Sequence, residues 1–199
     1  ASSFPAMTRF LPFALTLLLI AGAPALAQPQ DEILTAQAIA ELTLDELFAR
    51  LPENSGQRAG RLIEAEILER FEKSGSDTTD LLMSWANQAI AEKTYPLALD
   101  ILDQVVILQP GYAEAWNKRA TVHFLLDDYG SSIGDIRQTL ALEPRHFGAL
   151  SGLGLIFEAM DRNEAAIRAF KRALEVNPQL DKVRESLERL EKETAGDDI

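Results

Sequence analysis

The chain contains no cysteine. That excludes disulfide staples, thiolate zinc centres, a cysteine nucleophile and the lipidated cysteine of a bacterial lipoprotein. Cations are also scarce: 19 lysines and arginines face 31 acidic residues, a net charge of −12, and no basic block occurs anywhere. Nucleic acids and anionic lipid surfaces both need clustered cations, so neither is expected as a partner. With only two histidines and no thiols, the chain offers no convincing metal-ligand cluster, and neither a metal nor a cofactor is expected.

Long apolar runs are missing except at the N-terminus, where Met7-Thr8-Arg9 leads into FLPFALTLLLIAGAP and then Ala25-Leu26-Ala27. A short cationic start, an apolar stretch and small residues two apart are what a signal peptidase reads. Residues 1–27 are therefore expected to be a secretory signal peptide cleaved after Ala27, with the six residues ahead of Met7 lying upstream of the true start. An uncleaved anchor fits less well, because Pro12 interrupts the run and Gly22 and Pro24 end it. No stable membrane insertion is expected once the signal is gone. Cleavage removes one cation, Arg9, and leaves 18 against 31 acidic groups.

Further along, Pro110, Pro144 and Pro178 stand at equal intervals, closing the segments VVILQP, TLALEP and ALEVNP. A proline cannot continue a helix, so each marks the end of an apolar-periodic unit. Each unit divides in two at AEKTYP, DDYG or DRNE, with Pro96 where a first helical turn tolerates it. Small residues recur at Ala86, Ala120 and Gly154 and at Ala98, Ser132 and Ala166, and large ones at Leu102, Ile136 and Phe170.

Thirty-four residues of helix-turn-helix with these slots resembles the tetratricopeptide repeat (TPR) family, whose pattern is W-x2-L-G-x2-Y, A-x3-F and P. Residues 147–180 fit best, through Leu150, Leu153, Gly154, Phe157, Ala166, Phe170, Ala173 and Pro178. In the middle unit Arg119 stands where leucine is usual and His123 where tyrosine is usual. The resemblance implies an all-α, right-handed TPR solenoid of three repeats, 79–112, 113–146 and 147–180. A solenoid needs covered ends. The expected C-terminal cap is a helix over 181–194 presenting Val183, Leu187 and Leu190, followed by a disordered tail at 195–199. The expected N-terminal cap is a degenerate helical hairpin over 43–78, opened by the capping-box spacing of Thr43 and Glu46 and preceded by a linker or loosely docked helix at 28–42.

GSSIG at 130–134 fits the G-x-S-x-G nucleophile elbow, and Asp135 and His146 follow in the order a serine hydrolase uses. The elbow requires a strand before the serine, whereas Ser132 occupies a small-residue slot in a helix, so no catalytic residue is expected. His146 is expected in the turn between repeats, just after Pro144, and His123 as a packed or partly satisfied side chain in place of the usual tyrosine.

Function should reside in the groove lined by the first helix of each pair. Three columns read off at the repeat spacing: Met83, Asn117 and Ser151; Asn87, Thr121 and Leu155; Ile90, Phe124 and Glu158. Amides and hydroxyls there suit a peptide backbone, and Met83, Ile90, Phe124 and Leu155 supply apolar contact. Lys118 alone borders the groove as a cation, while Asp80, Glu114 and Glu158 favour a neutral or basic protein or peptide partner. The chain resembles small exported, envelope-associated TPR proteins of Gram-negative bacteria. That implies a periplasmic, non-catalytic adaptor or chaperone-like module; the alternative is a self-associating scaffold of an envelope complex.

Overall fold

Residues 36–53 and 58–196 are described by the structure, a computed structural model. The expected signal peptide, residues 28–35 of the linker, residues 54–57 of the hairpin and residues 197–199 of the tail lie outside the described residues. All regular structure among the described residues is helical: α1 (Ala36–Ala40), α2 (Leu44–Arg50), α3 (Arg58–Phe71), α4 (Asp77–Ala91), α5 (Tyr95–Leu108), α6 (Ala113–Leu125), α7 (Tyr129–Leu142), α8 (Phe147–Ala159), α9 (Asn163–Val176) and α10 (Asp181–Gly196). None of these helices is long and apolar enough to cross a membrane.

The repeat period is written into the backbone of the turns. Lys93, Asp127 and Asp161, one repeat length apart, adopt left-handed φ values of 58°, 58° and 56°. The amide of the following residue then reaches back into the helix just ended, Thr94 to Ala89, Asp128 to His123 and Arg162 to Phe157. These bonds close α4, α6 and α8 as Schellman turns and reverse the chain into α5, α7 and α9. Pro96 sits in the first turn of α5, and the side chains of Asp128 and His146 cap α7 and α8.

Consecutive helices pack in order, α4 on α5, α5 on α6 and so on to α9 on α10. Ala86, Ala98, Ala120, Ser132, Gly154 and Ala166 are all buried where the two helices of a pair meet. Ser132 also donates its hydroxyl to the Ala120 carbonyl at 2.7 Å, so this polar member of the set carries its own partner. Arg119 and Asp135 are a matched exception: repeat 1 has Trp85 and Ile101 in these slots, and repeat 3 has Leu153 and Ala169. Arg119 holds Asp135 through two bonds at 2.8 and 2.7 Å, reaches Asp103 at 2.8 Å and lies over the Trp116 ring. A planar guanidinium with three acceptor contacts replaces an apolar pair without an orphaned charge. At the far end α10 covers α9 with Leu190 against Phe170 and Ala166, and it runs through Gly196, into the span expected to be tail.

The 43–78 hairpin departs from the expected stacking on the first repeat. The capping box forms, with Thr43 Oγ1 accepting from the Glu46 amide and Glu46 accepting from the Thr43 amide at 2.7 Å. α1, α2 and α3 build a core of Ile39, Leu47, Leu51, Ile63 and Ile67, but this core closes on Phe147, Val176 and Leu180 of the second and third inter-repeat turns. The reason lies in the register. One repeat length before Ala98, in the series that Ser132 and Ala166 continue, stands Glu64, and a carboxylate in that fully buried slot costs several kcal/mol. Glu64 instead accepts from Asn177 at 2.8 Å. Among the described residues, Leu81, Trp85 and Leu97 at this end of the solenoid are each about half exposed, the last two beside Ile101.

Gly154 shows how tight the pair contact is. A Cβ there would lie 2.3 Å from Cε1 of the fully buried Phe170. In an ordinary helix Gly→Ala gains roughly 0.5–1 kcal/mol; here Gly154→Ala is expected to lose about 1–3 kcal/mol in urea unfolding. Combining it with Phe170→Leu is expected to cost less than the two single losses together, because the clash and the ring are removed as one.

Candidate functional site

The first helices of the three pairs, α4, α6 and α8, form the inner row of the solenoid, and their N-terminal ends are carried by the turns at residues 109–112, 143–146 and the residues leading into α4. The columns expected to line one continuous groove fall into two halves. One half, beside the turns, is covered by the hairpin and the segment that follows it. The other remains open.

In the covered half Glu72, just past α3, binds Lys118 at 2.8 Å and accepts from Asn87 at 3.5 Å. Asn117 donates to Glu114 at 3.2 Å, and Ser151 donates to its own helix at the Phe147 carbonyl. Met83, expected to offer apolar contact to a ligand, is only 2% exposed and packs into the core of the first pair with Ala86, Leu102 and Tyr112. Met83 thus belongs to the core, in one buried cluster with Tyr112 at the start of the next helix.

Beneath this cover is a buried polar pair that the columns did not include. His146 is 2% exposed; its Nδ1 accepts the Ala149 amide at 3.1 Å, so Nε2 carries the proton and donates to Glu114 at 2.9 Å. Phe71 stacks on the imidazole at 4.5 Å, nearly parallel. Burial alone would push the Glu114 carboxyl up, but the His146 hydrogen bond, the charge of Lys118 and the Asn117 amide together hold it below the ordinary glutamate value. Lys118, although partly desolvated, is pushed up by Glu114 and Glu72. Two hydrogen bonds from Ser74 hold the Asp80 carboxyl low, and burial, then Glu114, Glu72 and Asp80, push the Tyr112 phenol up. All these contacts are to protein groups, so the cluster ties the turns to the hairpin.

In the open half Thr121 is exposed and donates to the Asn117 carbonyl within its helix. Leu155 is 43% exposed, Ile90 and Phe124 are half-buried, and Phe124 leans on Tyr129. Glu158, expected to be available to a basic ligand, is paired with Arg189 of α10. Asp80 and Glu114 are similarly engaged, so the three carboxylates taken as favouring a basic partner already have partners within the chain.

Ser132, Asp135 and His146 are not brought together. The serine bonds Ala120, the aspartate bonds Arg119, and the histidine bonds Glu114. His123 packs near Asp128 at 3.3 Å. The residues that sequence reasoning misses, Phe71, Glu72, Gln109, Arg145 and Asn177, lie on or against the turns. Their signal is the column Gln109, Glu143 and Asn177, three polar residues at one place in successive turns.

Glu114 generates a pH-dependent expectation. Its carboxyl is depressed in the fold, so its stabilisation is complete above the ordinary glutamate value and disappears as pH falls through the lower folded value. Glu114→Gln is expected to cost about 1–3 kcal/mol at pH 7, and urea midpoints of variant and parent should converge below roughly pH 4. An unchanged gap at acid pH would mean that the loss comes from shape and not from charge.

No family model matches the chain. A TPR repeat-containing protein of Rhizobium etli is 40% identical over 153 residues, 77% of this chain and 75% of that protein. The small glutamine-rich tetratricopeptide repeat-containing protein 2 of Saccharomyces cerevisiae is 27% identical over 128 residues, 64% of this chain and 37% of the yeast protein. Among solved structures, the first TPR of Spaghetti (RPAP3) bound to the HSP90 peptide SRMEEVD superposes with a TM-score of 0.56 at 21% identity, covering 59% of this chain and 93% of that one. The Sgt2 TPR domain of Aspergillus fumigatus gives 0.58 at 23% identity, covering 62% and 83%. These structural likenesses concern the fold, and they agree with the helix pairs, turns and slots described above. With a relative of this identity matched over three quarters of its length, the chain belongs to the tetratricopeptide repeat family.

Proposed function

We propose that this chain is an exported, non-catalytic adaptor that binds a protein or peptide segment in its concave groove, in the periplasm of a Gram-negative bacterium. The observation that carries the binding reading is the open half of the groove, where Leu155 and Thr121 stand exposed beside the half-buried Ile90 and Phe124. Apolar side chains gathered in a concavity and rimmed by polar groups mark partner surfaces more often than solvated ones. TPR modules serve protein–protein interaction, and one structural neighbour was captured with an HSP90 peptide. The dispersal of Ser132, Asp135 and His146 supports the non-catalytic part. Export rests on the signal-peptide pattern of residues 1–27, and a neutral or basic partner on the net charge of −12.

A photo-reactive side chain placed at Leu155, and separately at Thr121, is expected to crosslink one and the same periplasmic protein in intact cells. The same group at the exposed Arg137, on the second helix of the middle pair, should not. Leu155→Asp should abolish the crosslink formed from position 121 while far-ultraviolet circular dichroism stays unchanged. Equal crosslinking from all three positions sinks the groove reading. Recovery of the unprocessed chain in the cytoplasm alone sinks export.

The half-exposed apolar residues at the start of the first repeat favour a second reading, self-association. Leu81, Trp85 and Leu97 are each about half exposed, whereas Ala115 and Ala149, one and two repeat lengths after Leu81, are buried. If copies meet there, light scattering on residues 28–199 gives a dimer mass that Trp85→Glu converts to a monomer; a monomer for the parent removes this reading.

A further inference from the structure

The hairpin joins the solenoid differently from the way the repeats join each other. Between the first two repeats the joint is largely apolar, with Ala98, Leu102, Val105 and Val106 of α5 clustered with Ala115 and Val122 of α6 and one ion pair, Arg119 with Asp103, beside them. The hairpin gathers Ile39, Leu47, Leu51, Ile63 and Ile67, each at most 1% exposed, into a core that it shares with Phe147, Val176 and Leu180 of the solenoid, and polar pairs ring that shared core. Phe71 stacks on His146 and touches Phe147 at 6.2 Å between ring centres. Around it Asp45 meets Arg145 at 2.7 Å, Glu64 meets Asn177 at 2.8 Å, Glu72 meets Lys118 at 2.8 Å, and the Ser74 carbonyl accepts from Gln109 at 2.6 Å.

The contacts of this joint run in order along α3 and the residues after it, Glu64 at the third turn, Phe71 at the second and Ser74 at the first, so the segment crosses all three repeats as a docked ligand would. The outermost ionic pair is well exposed, 37% and 86% for Arg145 and Asp45, and solvent-screened pairs of that kind hold weakly. The hairpin is joined to the solenoid through Glu72–Ser76, a single short connection in which Gly75 takes the left-handed φ of +80° and Ser74 is bonded to Asp80 and Gln109.

We propose that α1–α3 is a displaceable intramolecular occupant of the turn-side half of the groove, and that this surface receives an amphipathic helix of a partner protein in its place. The helix that fits presents an aromatic ring to His146 and Phe147, with a carboxylate one residue later for Lys118 and Asn87, as Phe71 and Glu72 do. Such a helix is neutral or basic overall and acidic only at that point. The proposal rests on the reading of the groove as a binding site and adds the gate. The apparent Kd rises as the inverse of the fraction of molecules whose hairpin is undocked.

The test uses the full chain and a fluorescein-labelled peptide of residues 43–76 as the probe. A chain carrying Glu64→Ala and Phe71→Ala keeps the receptor surface intact and weakens only the resident hairpin. It is expected to bind the peptide at least about tenfold more tightly than the parent. Adding Lys118→Ala and Asn177→Ala should remove that gain. Linking Glu64→Cys to Asn177→Cys with a short bis-maleimide, feasible because the chain has no other thiol, should abolish binding. Should the double alanine chain fail to fold, hydrogen exchange on the parent decides: the amides of α2 and α3 are expected to exchange at least roughly tenfold faster than those of α6 to α9. Equal peptide affinity for parent and weakened chain, or exchange of hairpin and repeats as one cooperative unit, overturns the proposal. Crosslinking at Leu155 lies in the open half and does not depend on either result, so the gate and the groove can fail separately.

Discussion

The close approach of two helices within each pair is the constraint from which the rest follows. Ala86, Ala120, Gly154, Ala98, Ser132 and Ala166 are all small and buried within the pairs, and Phe170 presses so near Gly154 that a methyl group has no room. Fixing that distance fixes the crossing of the pair, and repeating it once per unit aligns the three first helices side by side. The left-handed turns at Lys93, Asp127 and Asp161 are consequences of the same demand, since a chain reversing between helices so close has few backbone routes. Even Arg119 and Asp135 conform, exchanging an apolar contact for a bidentate ion pair without altering the spacing.

Aligning the first helices also stacks their N-terminal ends beside the turns, and this produces the polar cluster. His146 caps α8 through Nδ1 and, with that nitrogen committed as acceptor, directs its remaining proton at Glu114 on the neighbouring helix. The carboxylate needs compensation for burial and finds it in His146, Lys118 and Asn117. Lys118 then has capacity for a second acid, which Glu72 supplies from the hairpin linker. A cap on one helix thus leads, bond by bond, to the placement of a different structural unit.

The solenoid is legible in the sequence because its information is periodic: prolines, small slots and turn residues each recur three times, and any one column checks the others. The groove residues are legible only in part. Asn87, Asn117 and Lys118 do lie on the inner helices, but Asn87 and Lys118 are engaged by Glu72, which belongs to no repeat, and Asn117 by Glu114. Met83 shares a column with Asn117 and Ser151 yet lies in the core of the first pair, among Ala86, Leu102 and Tyr112. The hairpin's docking site is not legible at all. An amphipathic pattern such as Leu62, Ile63, Ile67 and Phe71 says that a helix has an apolar face, not which surface that face will meet. One clue is available, the carboxylate of Glu64 in a small-residue slot, and it speaks against stacking without indicating the alternative.

Among the described residues the hairpin has two surfaces on which its apolar face could rest, the turn side of the groove and the end face at Trp85. Apolar area alone does not favour the groove, since Leu81, Trp85 and Leu97 offer bulky side chains and almost no charge. Polar complementarity does. α3 and its flanks carry Glu64, Glu72 and the Ser74 carbonyl at intervals that meet Asn177, Lys118 and Gln109, whereas at the end face those same groups would lose water and gain no partner. The choice is therefore made by the cost of the wrong site more than by the strength of the right one. An occupant held in place that way yields to any helix that satisfies Lys118, Asn177 and the His146 ring equally well and brings a larger apolar face, which is the property a gated binding groove requires.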